Sequence, residues 1–149
     1  MTRAKLLTLL ISICIVFSLF GNSNADSAKE DYELKERCGK HAWEYFKKEY
    51  GNGMLSFDEN VIISARYINH YNKKLNKCIV LVTTKSMPKT SKEVRTFIDK
   101  TLLDITELKQ YGQFTKLSTG IQPNQCEVSG RHCSSEIEWD SLVKPYLEE

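Results

Sequence analysis

Four kinds of side chain in this sequence carry reactive or recognition chemistry: cysteines, histidines, clustered carboxylates, and lysines set beside aromatic residues. The cysteines are Cys14, Cys38, Cys78, Cys126 and Cys133, and the histidines are His41, His70 and His132. For nucleophilic catalysis the inventory is thin. The chain has no Gly-x-Ser-x-Gly elbow, no glycine-rich phosphate loop and no His-Glu-x-x-His zinc helix. His70, between Asn69 and Tyr71, is the one candidate general base. It needs a carboxylate to orient it, and Asp58 and Asp104 are the choices. Glu136, Glu138 and Asp140 could form the paired acids of a glycosidase. The reading preferred for these acids is the first turn of a helix, where its dipole favours negative charge. The expectation is therefore no catalytic residue, with a small hydrolase built on His70 as the alternative.

Zinc would draw on Cys126, His132 and Cys133, with His41 or His70 as a fourth ligand. Short Cys-x-x-Cys pairs are absent, and adjacent His132 and Cys133 suit one tetrahedral ion poorly. No metal and no cofactor are expected. A candidate binding patch is formed by His70, Tyr71, Lys73 and Lys74, aromatic and cationic side chains that suit an interface.

The compartment follows from the first residues. Arg3 and Lys5 precede the apolar run Leu6 to Phe20, and a polar stretch then ends in the small residues Ser23 and Ala25. This is the three-part pattern of a secretory signal peptide, residues 1–25, cleaved after Ala25. The run of roughly 15 residues is short for a membrane span. Any membrane association is therefore expected only through an uncleaved signal segment. The full chain has 21 basic and 19 acidic side chains. Without Arg3 and Lys5 the two signs balance, so nucleic acid gains no support as a partner. Residues 26–149 form one domain of roughly 120 residues, enough for its own core. The four cysteines left in an exported chain read as two disulfides.

The elements that must position these groups come next. Asp26 to about Lys48 is expected to be a helix, with Leu34, Cys38, Ala42 and Tyr45/Phe46 on one stripe. Gly51-Asn52-Gly53 stops it. The stretch from Val61 to Lys85 reads as two β-rich arms joined by Asn72-Lys73-Lys74-Leu75-Asn76-Lys77. In the second arm Cys78, Val80 and Val82 alternate with Ile79 and Leu81, so this strand is expected to be central and covered on both faces. Thr90-Ser91-Lys92-Glu93 matches a capping box, with a short helical turn before Phe97 as one reading. Thr101–Thr106 and Gln110–Leu117 read as a second hairpin. Ser118 to Ser134 has no periodicity and reads as loop. Ser135 then caps a last helix with Glu138 completing the box, and Pro145 is expected to weaken its final turn.

Cys126 and Cys133 are close in sequence, so a bridge between them leaves Cys38 with Cys78, against two crossed pairings. Closing the longer loop contributes roughly 4 kcal/mol and the shorter roughly 2.5 kcal/mol in the chain-entropy picture.

His70-Tyr71-Asn72-Lys73-Lys74-Leu75-Asn76-Lys77-Cys78 resembles a motif of small exported bacterial proteins. In those chains a helical cysteine precedes the motif, and the chain ends in a short helix like Leu142-Val143-Lys144-Pro145-Tyr146-Leu147-Glu148. The resemblance implies a periplasmic or secreted location and no assigned activity. The fold expected is α+β: an N-terminal helix packed on a four-stranded antiparallel sheet of two hairpins, closed by a short C-terminal helix, with two disulfides. The function expected is an exported, non-enzymatic binding module, an inhibitor or envelope-associated protein, for a protein, peptide or envelope component.

Overall fold

Alternation of apolar and polar residues from Val61 onward builds a single antiparallel sheet with a helix against each face. The computed structural model describes residues 23–56, 61–89 and 96–148. The expected signal segment up to Asn22, Asp58 and the Thr90–Glu93 capping box lie outside these residues. The chain divides into a unit ending at Leu34 and a unit from Lys35 to Glu149. The first contributes the opening turns of helix α1 (Ser23–Tyr50), and the second holds everything that follows.

The sheet has seven strands in chain order: β1 (Met54–Ser56), β2 (Val61–Asn72), β3 (Lys77–Pro88), β4 (Phe97–Asp104), β5 (Lys109–Leu117), β6 (Gln125–Val128) and β7 (Arg131–His132). Helix α2 (Glu136–Leu147) closes the chain. The four-stranded sheet expected from sequence is thus corrected to seven. The two hairpins are present, but β1, β6 and β7 are added at the edges. With three, four and two residues these strands are too short for alternation to show, and the neighbouring ladder holds them in place. Ser118 to Ser134 is likewise not all loop, since Cys126 sits on β6 opposite Phe114.

Register partners in an antiparallel ladder share a face. Cys78, Val80 and Val82 of β3 look toward α1, whose Cys38, Ala42 and Phe46 recur every fourth residue and are buried. Phe46 packs against Tyr67 of β2 in a tilted pair with ring centroids 4.6 Å apart. Gly53, at φ +85°, lets the chain leave α1 close against β2: a Cβ there would lie 2.7 Å from the Ala65 carbonyl oxygen. On the other face, Ile79, Leu102, Phe114, Val128, Trp139 and Val143 form a core beneath α2. Gly112 leaves room for the Trp139 ring, 3.1 Å from where a Cβ would stand. β3 is therefore covered on both sides, as its two apolar faces require. No helix among the described residues is long and apolar enough to cross a membrane.

Two sulfur bridges tie the elements together. Cys38 is bonded to Cys78, fastening α1 to β3, and Cys126 to Cys133, fastening β6 to the approach of α2.

A candidate binding cleft beside the hairpin tip

Asn72 ends β2 and is almost fully buried, which an amide tolerates only with its hydrogen bonds made. Its Nδ2 donates to the carbonyls of Pro145 (2.8 Å) and Tyr146 (3.3 Å), and its Oδ1 accepts from Leu75 N–H at 2.9 Å. One side chain thus binds the hairpin turn to the last turn of α2. Pro145 does not end the helix, which continues to Leu147. The Tyr71 hydroxyl donates to Asn76 Oδ1 at 2.6 Å, holding the turn where Asn76 adopts φ +53°.

Beside this clamp lies a cleft of about 300 Å³. Leu75, Val128, Leu142, Pro145 and Tyr146 give it apolar walls, and Lys74 and Arg131 bring cations to it. The Tyr146 hydroxyl shares a hydrogen bond with Ser129 Oγ at 2.7 Å, and its ring lies 5.3 Å from that of Tyr111. Arg131 makes no ion pair among the described residues. The cleft therefore suits an apolar group joined to an anion.

Of the candidate patch, only Lys74 lines this cleft. Tyr71 is buried and faces α1, on the opposite side of the sheet. Its side chain holds the hairpin together and is not an exposed contact. Lys73 is exposed on the turn. His70 is partly buried on the α2 side of β2, opposite Ile79. The cleft residues Val128, Ser129, Arg131, Leu142, Pro145 and Tyr146 were not expected. The one sequence signal for them was the pairing of the hairpin motif with the terminal helix in the resemblance above.

The pair His70 and Asp104 is not brought together. The register runs His70, Ile79, Asp104 across three strands, so the two are separated by about 10 Å at two strand spacings, with Ile79 between them. Asp104 is fully buried and already engaged: Oδ1 accepts from Thr106 N–H at 2.9 Å, and Oδ2 lies 3.2 Å from Lys77 Nζ. That last contact is an ion pair whose angles fall short of a directed hydrogen bond. Lys77 also binds Glu107, and this bond, with help from Asp104, raises the pKa of the lysine.

The three acids of α2 are structural as well. Glu136 and Asp140 both reach Lys100, at 2.7 and 3.2 Å. The bond from Lys100 holds the Glu136 carboxyl below the usual range. Glu138 accepts from the N–H and the hydroxyl of Ser134, and those bonds depress its pKa. Its own N–H donates to Ser135 Oγ, so Ser135 is the cap while the returning carboxylate lands one residue earlier than a simple capping box. The sulfurs that zinc would need are bonded to each other, and His132 Nδ1 stands 3.7 Å from Glu127 Oε2 on the surface. Among the described residues no group of three or more histidines, cysteines and acids is placed to hold a metal.

Fold and cleft together define a disulfide-stapled α+β protein with two helices among the described residues and an amphipathic cleft at one end of its sheet. Comparison with protein-family models, curated proteins and solved structures finds no match.

Proposed function

We propose that this protein is an exported, non-enzymatic binding module, periplasmic or secreted, that holds a protein, peptide or envelope component through the cleft beside its hairpin tip. The single observation that carries the reading is the cleft itself: apolar walls from three separate elements, lined also by the guanidinium of Arg131, which has no ion pair among the described residues. Such a site recognises an apolar group next to a negative charge, for example the last residue of a peptide with its free carboxylate. The two disulfides support an oxidising destination. So does the signal-peptide pattern of the first residues.

The test is a titration with a fluorescein-labelled tetrapeptide ending in leucine, with a free or an amidated terminus. The free carboxylate should bind at least about tenfold more tightly, a difference of ~1.4 kcal/mol. Arg131→Glu should remove the preference. Equal binding of both forms, or an unchanged preference in Arg131→Glu, would show the cleft reading to be wrong. Fractionation of cells producing the full chain should recover it outside the cytoplasm with Asp26 as its first residue.

A further inference from the structure

The long strand β2 is only partly paired on its outer side. β1 accompanies it from Ile62 to Ser64, and Ala65 N–H then donates to the Gly53 carbonyl at 2.7 Å. That bond shows which residues of β2 turn their backbone groups away from β3. They are the odd-numbered ones, so Tyr67 and Asn69 direct N–H and C=O outward past the end of β1. Among the described residues, none of these four groups has a hydrogen-bond partner. The edge is also open: Arg66 and Asn69 are exposed, and Ile68 is 57% exposed. Sheet edges of this kind are normally shortened, charged or covered.

Charge on the adjoining face supplies the second observation. A groove of about 320 Å³ runs inward from this edge, lined by Arg66, Ile68, Leu81, Thr83 and Lys100. Lys100 is balanced by Glu136 and Asp140. Lys85, on β3 opposite Ser64, is close enough to Glu136 to help lower its pKa. Arg66 has no ion pair among the described residues, and it stands on the edge strand itself. A strand laid along Arg66–His70 would turn every second side chain to the face that carries Arg66, and the one opposite Arg66 would meet its guanidinium.

We propose that the outer edge of β2 from Arg66 to His70 receives an extended segment of a partner protein with an acidic residue opposite Arg66. Its backbone bonds to Tyr67 and Asn69, and the acid opposite Arg66 pairs with the guanidinium. This surface is separate from the cleft and does not depend on it.

The experiment uses protein exported from the full chain, with its disulfides formed, and three labelled ten-residue peptides. One alternates Glu and Val, one alternates Lys and Val, and one is the Glu–Val peptide N-methylated at every second residue. Fluorescence anisotropy should show saturable binding of the first alone. Arg66→Glu should weaken it at least tenfold, and hydrogen exchange should show new protection at the amides of Tyr67 and Asn69. Because the N-methylated peptide leaves the protein untouched, the result does not depend on how any variant folds. The proposal is overturned by equal binding of the Glu–Val and Lys–Val peptides, by undiminished binding of the N-methylated peptide, or by no binding. It is also overturned if Arg131→Glu abolishes binding, which would place the peptide in the cleft, or if Tyr67 and Asn69 become protected by self-association without peptide.

Discussion

The two helices are fastened to the sheet by different means. From Lys35 onward α1 presents a narrow stripe of Cys38, Ala42 and Phe46, and a covalent bond joins it to β3 across 40 residues of chain. Helix α2 has a bulky buried anchor, Trp139, the Lys100 ion pairs at its start and the Asn72 clamp at its end. Its disulfide spans only seven residues and fixes its approach without tying it to a distant strand. A helix with little to bury is held by sulfur, while one with a large apolar anchor is held by packing and directed polar contacts.

The largest expected effect comes from breaking the covalent side of this contrast. Replacing Cys38 and Cys78 together by serine should cost about 4 kcal/mol and lower Tm by on the order of 15 °C, read by calorimetry. The Cys126→Ser/Cys133→Ser variant should lose less, about 2.5 kcal/mol. Equal losses would mean that loop length does not govern the difference. Asn72→Ala strips the carbonyls of Pro145 and Tyr146 of their donor and should cost about 1–3 kcal/mol. Hydrogen exchange should then quicken in the last turn of α2 and leave α1 unchanged.

The smallest effect is acid sensitivity. Glu136 and Glu138 are both held below the ordinary carboxylate value, Glu136 chiefly by Lys100 and Glu138 by Ser134. Their contribution is complete above the unfolded-chain value of about 4.3 and is lost as pH falls below it. The chain has two tryptophans, Trp43 half exposed on α1 and Trp139 buried on α2, so fluorescence separates the helices. In Trp43→Phe protein the Trp139 emission should shift red below pH 4. The shift should begin at higher pH in Lys100→Met, because Glu136 then returns toward its ordinary value. Unchanged midpoints would remove these carboxylates from the account of how α2 is held.

Much of this architecture was legible because it rests on local periodicity. The stripe on α1, the two-sided apolar pattern of β3, the cap at Ser135 and the four cysteines all register within a few residues of chain. The short strands were not legible, since β7 has two residues and no pattern of its own. Tyr71 misled for a related reason: an aromatic residue next to lysines resembles a contact surface, and only its facing toward α1 shows it to be buried.

By itself the sequence determined two helices, the central hairpin and a cysteine set whose closest members in the chain are bonded to each other. These follow from side-chain spacing and from the low entropy of short loops. The tertiary structure alone decided the cleft and the open edge of β2. Lys74, Arg131 and Tyr146 meet only because a buried amide at Asn72 draws the end of α2 onto the hairpin. Among the described residues, the outward backbone groups of Tyr67 and Asn69 have no partner because β1 stops short of them. Neither convergence has a period, so no reading along one dimension contains it.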